Sequence, residues 1–372
     1  MKKNILIIAL SLVLVCVNTA CQTSNEPEYV THSTTEASTE MTINVEPTAI
    51  KEDDNFIYTA KEIVEKMGMG WNLGNTLESL WVGDTDGRDW RRWETGWGQA
   101  VTTPELMLMM KNAGFGAIRV PVSWGVHMDA SGKVYDEWMN RVQEVVDYVI
   151  DAGLYCIINV HHDTGADEEL AWLVASPEGY TAEKTRFEAL WKQIALRFKD
   201  YDQRLLFESF NEMLDKNRSW CFASYNAGYN AELSAGAYKA INDYAQSFVD
   251  VVRSTGGNNA VRNLVVNTYG ACNGGGDWNP HLQDPLKEMK MPSDKVEDHI
   301  LFQVHSYPMI DDLGAMEREM GKMLDDLEKN LDGYAGSVQK VIRESKRGFL
   351  KGIHGTLSQL ISAPSEYAVA IE

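Results

Sequence analysis

The sequence predicts an α/β protein with a (β/α)8 barrel architecture, on three observations. Short β-branched apolar runs alternate with segments that carry apolar residues at helical spacing, which is typical of parallel strands joined by crossover helices. Polar residues follow nearly every run where a strand would end, and barrel enzymes place their chemistry at that end of the strands. The 372 residues contain no glycine pattern of a nucleotide-binding turn, which favours a barrel over a doubly wound sheet.

Six strands are predicted, and most are continuous apolar runs, as expected for strands that are covered on both faces. They span residues 68–73, 117–122, 155–160, 205–210, 264–268 and 300–304. The polar residues at or just after their ends are Asn72, Arg119, His161, Asn211, Glu212, Tyr269 and His305. We therefore expect these side chains to meet at one rim of the barrel.

The helices between the strands are predicted from apolar residues three and four positions apart. One begins at Thr103-Pro104, a capping residue followed by a proline suited to the first turn, and the next ends at Gly153. The predicted inward-facing residues are Leu106, Met109, Met110 and Ala113; Trp138, Val142, Val145, Val146 and Val149; Phe187, Leu190, Trp191 and Ile194; Ile241, Tyr244, Phe248 and Val252; and Met316, Met320, Met323, Leu327 and Leu331.

The first residues of the chain have the pattern of an export signal. A positive start and an apolar run over 5–17, too short to span a bilayer, predict a signal peptide over 1–20. Small residues before Cys21 predict its lipidation, although Asn18 stands where an aliphatic residue is usual and ordinary cleavage is the alternative. Residues 21–55, rich in Ser, Thr and Glu, predict a flexible tether. We expect a protein that is anchored in the cell envelope or secreted.

Charge and cysteine content exclude several classes of protein. The net charge of −20 argues against a nucleic-acid partner, because phosphates would be repelled, and places no restriction on a neutral polysaccharide. Cys16 and Cys21 belong to the leader, which leaves Cys156, Cys221 and Cys272. Their wide spacing matches neither a disulfide framework nor a zinc site, so we expect free, buried thiols. We also expect a monomer.

A carboxylate ends one of the apolar runs, where Asn211 and Glu212 close the segment 205–212. Burial at the rim of an apolar barrel and a second nearby carboxylate can both raise the pKa of a glutamate. A raised pKa is what a general acid needs in order to hold its proton near neutral pH. A glutamate that caps a helix or pairs with a cation is the structural alternative.

Five segments resemble the signature motifs of glycoside hydrolase family 5, a family of retaining cellulases. They are GWNLGNTLE (70–78), GFGAIRVPVSW (114–124), NVHHD (159–163), LLFESFNE (205–212) and HSYP (305–308), similar to the family's first, second, third, fourth and sixth barrel strands. Met213 stands where Pro or Val commonly follows the Asn-Glu pair. The resemblance implies an endo-β-1,4-glucanase without a cofactor. The alternatives are a mannanase or xylanase of the same fold, or a catalytically impaired glycan-binding surface protein.

The resemblance also implies roles for single residues. Glu212 would be the acid/base, Asn211 would bind the sugar 2-hydroxyl, Arg119 would lie beside the nucleophile, His161 would line the subsite next to the bond being cut, His305 would organise the acid/base and Tyr307 would hydrogen-bond the nucleophile. Among the tryptophans that follow strands, Trp124 and Trp278 are expected to stack on sugar rings. Adjacent histidines make an awkward chelate, so we expect no metal at His161-His162-Asp163.

The second carboxylate of a retaining glycosidase is the part that the sequence does not identify. The family carries it in a Gly-Glu-Phe/Trp motif after the seventh strand, and no such motif occurs in this chain. Two weaker candidates are YAVAIE (367–372), which ends in Glu372, and SVQKVIRE (337–344), which would bury two cations. We expect residues 56–332 to form the barrel and 333–372 to be an atypical, truncated or frame-shifted tail that supplies at most one more strand.

Overall fold

The computed structural model describes residues 5–10, 58–80, 86–165, 170–219, 229–272, 274 and 280–306. The strands within these ranges are β1 (Ile5–Leu10), β2 (Gly70–Asn72), β3 (Ala117–Val120), β4 (Tyr155–Asn159), β5 (Leu205–Glu208), β6 (Leu264–Cys272) and β7 (Ile300–Ser306). The α-helices are α1 (Ala60–Met67), α2 (Trp90–Glu94), α3 (Pro104–Asn112), α4 (Asp136–Asp151), α5 (Pro177–Arg197), α6 (Ala231–Ser254) and α7 (Asp284–Glu288). None of the helices in this part of the chain is both long and apolar enough to cross a membrane.

The strands form one parallel sheet in the order β1-β7-β6-β5-β4-β3-β2. From β2 to β7 the spatial order follows the chain, and every neighbouring pair is parallel. All strands therefore end at the same edge, as in the predicted (β/α) barrel. The six predicted strands correspond to β2–β7, and their observed starts lie within two residues of the predicted ones.

The outer edge of β7 pairs with a strand from the other end of the chain. Ile5 of β1 lies opposite Leu301, and Leu10 lies opposite Ser306. The sequence predicts a leader at these residues and a further strand at 367–371, which lies outside the described residues. An apolar run suits either role, because the unpaired N–H and C=O groups of an exposed strand edge accept any β-compatible segment.

The helices pack their predicted faces on the sheet. Every residue predicted to face inward on α4, α5 and α6 is buried. In α3 the buried residues are Met107 and Met110, whereas Leu106 and Met109 are partly exposed. Residues 106–110 are all apolar, so periodicity alone cannot define the inner face of this helix. The predicted helix at 316–331 lies outside the described residues.

Helix α1 packs against the N-terminal end of the barrel. A capping box joins Thr59 and Glu62 at its start, and its buried residues pack against apolar side chains from β3–β7. Gly116, directly before β3, lies so close to the end of α1 that a Cβ there would be 2.0 Å from the carbonyl oxygen of Met67. Only glycine fits there, which leaves the opposite end of the barrel for the site.

Two cysteines can be compared with the sequence prediction. Cys156 and Cys272 are free and buried, as expected. The Cys272 thiol donates to the carbonyl oxygen of Leu282 at 3.2 Å and so packs the segment after β6 against the strand. Cys16, Cys21 and Cys221 lie outside the residues whose side chains the structure describes.

Candidate active site

Four of the polar residues predicted at the rim are linked in pairs at the C-terminal ends of the strands. Arg119 lies one residue before the end of β3, and its Nη2 donates to Oδ1 of Asn211 just after β5 at 2.9 Å. Glu212 contacts His305 of β7, with 2.6 Å between Oε1 and Nδ1. His161, just after β4, is close enough to Arg119 and His305 for their charges to lower its pKa. Tyr307 lies outside the described residues.

The carboxylate that Arg119 contacts is Glu208 of β5, which sequence reasoning did not identify. Nε donates to Oε2 and Nη2 donates to Oε1, both at 2.6 Å. Arg119 is 5% exposed and Glu208 is 0% exposed. The signal that was missed is a glutamate in the middle of an apolar strand segment. A charged side chain is rarely buried unless it is paired, so this position indicates a buried cation nearby. The pairing and complete burial leave Glu208 unsuited to attack a substrate.

Arg119 also fixes the amide groups beside it. A guanidinium only donates, so Asn211 turns its carbonyl oxygen towards Arg119 and keeps its NH2 group for another acceptor. Nη1 of Arg119 points to Oδ1 of Asn72 at 3.4 Å. One cation thus orients polar side chains that follow two different strands.

Buried polar residues form a layer beneath the rim, on the strands that carry the site. Asn159, Glu208, Asn267 and Gln303 are each 0% exposed. Asn159 pairs in register with Glu208, and Asn267 pairs with Gln303. We call these four residues with Arg119 the polar layer. It holds the rim residues through hydrogen bonds rather than through apolar packing.

Glu212 and His305 differ in their access to solvent. The Glu212 side chain is 14% exposed, whereas His305 is 3% exposed. The second ring nitrogen of His305 lies 2.8 Å from the amide nitrogen of Gln303, one layer below. His305 therefore holds the buried side of the Glu212 carboxyl group, while its other side is accessible from the rim. A proton donor to a bound ligand needs this access.

The loop after Glu212 is fastened by Tyr269 of β6, a residue predicted at the rim. Its hydroxyl accepts from the backbone N–H of Asp215 at 3.0 Å and donates to the carbonyl oxygen of Ser219 at 2.5 Å. Tyr269 is 1% exposed. In this structure it supports the loop from below, because β6 continues past it to Cys272.

A second buried glutamate shapes the loop after β2. Glu78 accepts from the backbone N–H groups of Asn75 at 2.5 Å and Thr76 at 3.0 Å. Burial raises its pKa to about 7, against the lowering effect of those hydrogen bonds and of Arg119. Glu78 therefore holds its proton more readily than an exposed glutamate.

Asp163 anchors the loop after β4. Its carboxylate accepts from the backbone N–H of Trp124 at 2.8 Å, from that of Gly125 at 2.5 Å and from the Trp172 indole at 2.5 Å. Burial raises its pKa despite these bonds. No group of three or more metal-ligating side chains occurs in the described ranges. The hydrogen bonds give Asp163 a structural role in the His161-His162-Asp163 segment.

The prediction that Trp124 stacks on a sugar is wrong for this structure. Its side chain is 0% exposed, and its indole N–H donates to the carbonyl oxygen of Asn159 at 2.8 Å. A position just after a strand does not reveal how deeply the side chain is buried. Trp278 lies outside the described residues.

Among the residues that the structure describes, Trp97 is the tryptophan classed as exposed, at 43% exposure. It contacts His162 edge to face at 5.5 Å, and His162 contacts His161 in the same way at 4.7 Å. A tight turn presents it: Gly98 N–H donates to the Thr95 carbonyl oxygen at 3.0 Å, and Gly98 has a φ of 87°. The turn follows Glu94, which is buried and bonded to Arg141 of α4 at 2.8 Å.

Comparison with known proteins shows the family to which this chain belongs. The family model described as cellulase (glycosyl hydrolase family 5) matches residues 82–345. The chain belongs to glycoside hydrolase family 5. A solved family 5 broad-specificity endoglucanase from an uncultured bacterium is 52% identical, with a TM-score of 0.66 over 73% of this chain and 74% of that one. A family 5 enzyme from Prevotella bryantii, solved as a mutant with a xyloglucan tetradecasaccharide, is 42% identical, with a TM-score of 0.63 over 73% and 75%.

The match to curated relatives covers part of their length. Endoglucanase A of Clostridium longisporum is 35% identical over 249 residues, which are 67% of this chain and 43% of that protein. Endoglucanase A of Ruminococcus albus is 37% identical over 251 residues, which are 67% of this chain and 60% of that protein. The chain thus spans about half the length of these curated relatives.

Proposed function

We propose that this family 5 chain is a retaining endo-β-1,4-glucanase that cuts internal bonds of cellulose or related β-glucans. The observation that carries the proposal is the Glu212–His305 contact of 2.6 Å at the rim, with Asn211 and Arg119 beside it. The similar solved enzymes are described as a broad-specificity endoglucanase and as a xyloglucan complex. Mixed-linkage glucan and xyloglucan are therefore included in the proposed substrate class.

Glu212 is the proposed proton donor to the glycosidic oxygen. A second carboxylate, about 5 Å away in retaining enzymes, attacks the anomeric carbon as the leaving group departs. Glu212 then takes a proton from the water that releases the glycosyl enzyme. Asn211, whose NH2 group faces away from Arg119, is suited to bind a sugar hydroxyl during both steps.

The proposed nucleophile comes from beyond the described residues. Of the buried carboxylates near the rim, Glu208 is paired with Arg119 and Glu78 accepts from two backbone N–H groups. Glu372 remains the candidate that the sequence names. A chain without this carboxylate would bind glucan without cutting it, which is the alternative function.

Trp97 is the proposed platform for a sugar ring. An exposed indole offers an apolar face to the C–H groups of glucose. The ring of His162 contacts both the Trp97 indole and the ring of His161, so Trp97 lies near the predicted subsite. The turn around it is held by the buried pair of Glu94 and Arg141, so little ordering is needed on binding.

Export is proposed for the same protein. A polymeric β-glucan does not enter a cell, so an enzyme that cuts it must reach the outside. The signal over residues 1–20 and the lipid attachment at Cys21 would place it at the cell envelope, with residues 21–55 as a tether.

The proposed activity is tested by reducing-sugar release from carboxymethyl cellulose, mixed-linkage glucan and xyloglucan, with mannan and xylan as comparison. Glu212→Gln should abolish release while glucan binding persists, because the change removes a proton donor and little contact area. Glu65→Gln, on an exposed face of α1, is the matched control and should be unaffected. Release from mannan or xylan alone would reassign the substrate, and binding without release by the wild type would support the glycan-binding alternative.

A further inference from the structure

Two strands of the barrel carry the same three-residue pattern of a carboxamide, a valine and a histidine. It is Asn159-Val160-His161 at the end of β4 and Gln303-Val304-His305 in β7. Residues two positions apart on a strand point to the same face, so each carboxamide lies below its own histidine. The amide nitrogens of Asn159 and Gln303 lie 3.0 and 2.8 Å from a ring nitrogen of that histidine.

The backbone fixes which way the Asn159 amide faces. The N–H of Val122 can only donate, and it lies 3.1 Å from Oδ1, so that atom is the carbonyl oxygen. The NH2 group therefore faces Nδ1 of His161 at 3.0 Å and Oε1 of Glu208 at 3.2 Å. Because an NH2 group only donates, Nδ1 of His161 accepts.

The surroundings of His161 keep its ring neutral. Desolvation lowers its pKa well below the ordinary value of 6.5, and the nearby His162, Arg119 and His305 lower it further. A neutral imidazole carries one N–H. With Nδ1 accepting from Asn159, that proton lies on Nε2.

His305 turns its other ring nitrogen, Nε2, towards its carboxamide. Nδ1 faces Oε1 of Glu212 at 2.6 Å, and Nε2 faces the amide nitrogen of Gln303. With that NH2 group donating to Nε2, the proton of a neutral ring lies on Nδ1 and is donated to Glu212. In the reverse orientation of the Gln303 amide, Oε1 would instead accept from Nε2–H, and Nδ1 would accept a proton from Glu212.

We propose that Asn159 and Gln303 are positioning residues that hold the two rim histidines in opposite tautomers, His161 with its proton on Nε2 and His305 with its proton on Nδ1. The catalytic consequence rests on the proposed function. Since Oε1 of Glu212 accepts from His305, the transferable proton lies on Oε2 and passes from there to the glycosidic oxygen. When the glycosyl enzyme is hydrolysed, Oε2 takes the proton of the attacking water, which restores the acid. His161 presents an N–H donor for a sugar hydroxyl.

The tautomers are measured directly on the full-length chain labelled with ¹⁵N-histidine. Two-bond ¹H–¹⁵N correlations near pH 6 to 7 distinguish Nδ1–H, Nε2–H and the imidazolium form. The variants His161→Gln and His305→Gln assign the two spin systems. We expect Nε2–H for His161 and Nδ1–H for His305. Nδ1–H or imidazolium at His161, or Nε2–H or imidazolium at His305, would overturn the assignment.

A pH profile tests the effect on Glu212. His305 is faced by Glu212 after β5 and by Gln303 on its own strand, and it interacts electrostatically with His161 after β4, which in turn interacts with Arg119 of β3. In Gln303→Glu a carboxylate would pair with a doubly protonated His305, whose positive charge favours loss of the acid proton from Glu212. The alkaline limb of kcat should then move to lower pH by about one unit or more. A folded Gln303→Glu enzyme with an unmoved limb would contradict the proposal.

Gln303→Met is the matched variant, because it keeps the volume and removes the donor without adding charge. It should lower kcat while the alkaline limb stays in place, whereas a merely structural role would lower the stability of both variants without moving the limb. If the wild-type chain cuts no glucan, the proposed function is contradicted but the tautomer assignment is not. The NMR measurement of the tautomers needs no turnover.

Discussion

Arg119 and Glu208 form a bidentate ion pair with both contacts at 2.6 Å, within the wall of the barrel. Removal of one partner from such a pair leaves a buried charge uncompensated, which typically costs about 3–5 kcal/mol. Glu208→Ala should therefore lower the free energy of unfolding by about 3 kcal/mol or more. Urea unfolding monitored by circular dichroism measures this.

The matched comparison for that prediction is Glu208→Gln, which keeps two polar atoms for Arg119 and should cost less than Glu208→Ala. Glu65→Gln on α1 should change stability by less than about 0.5 kcal/mol. Equal losses in Glu208→Ala and Glu65→Gln would show that the ion pair contributes nothing at this position.

Trp97→Ala should weaken binding of polymeric glucan. An aromatic contact contributes about 0.5–1.5 kcal/mol beyond its buried area, so the Kd or KM should rise roughly 2-fold to 12-fold, with Trp97→Phe in between. The measurement is calorimetric binding of a cello-oligosaccharide to the Glu212→Gln background. Leu196→Ala removes another exposed apolar side chain, on α5, and should leave binding unchanged.

Glu78 makes stability depend on pH in an unusual direction. Its pKa rises from 4.5 in the unfolded chain to about 7 in the folded protein, so the folded state binds the proton more tightly. Stability from this residue is present below pH 4.5 and is lost as the pH rises towards 7, by on the order of 3 kcal/mol. Glu78→Gln should flatten the dependence of the unfolding midpoint on pH between 4.5 and 7. A wild type and a variant with parallel profiles would count against this assignment.

A chain that lacks residues 1–20, as the mature protein would under the proposed export, should associate more readily than the full chain. Its β7 would lose the six residues of β1 that pair with it from Ile5–Leu301 to Leu10–Ser306. Unpaired strand edges promote association between chains. Size-exclusion chromatography over a range of concentrations measures this, and a shortened protein that stays monomeric would refute it.

The positions of the strands could be predicted from the sequence because a buried parallel strand needs a continuous apolar run. The rim residues Arg119, His161, Glu212 and His305 followed, since each comes at or just after such a run. Their contacts did not follow. The partner of Arg119 depends on the order of the strands in the sheet: β3 and β5 lie on either side of β4, and Glu208 is recognisable only once that order is known.

Burial depth was the other property that the sequence could not supply. Trp124 and Trp97 both come from loops after strands, yet one is 0% and the other 43% exposed. The difference arises from Asp163, which accepts the backbone N–H of Trp124 and draws that segment inward, and from the turn closed at Gly98, which presents Trp97. Neither effect is visible in periodicity, because each depends on a hydrogen bond between particular groups.

The polar layer beneath the rim has a formal charge of zero. It holds one cation, Arg119, one anion, Glu208, and otherwise the neutral amides of Asn159, Asn267 and Gln303. The field of such a close pair falls off as that of a dipole, faster than the field of a single charge. The working pH of Glu212 is therefore governed mainly by its direct contact with His305 and not by a net charge of the layer. Replacement of one amide of the layer by a carboxylate would end this neutrality and bring the interior of the barrel into the electrostatics of the rim.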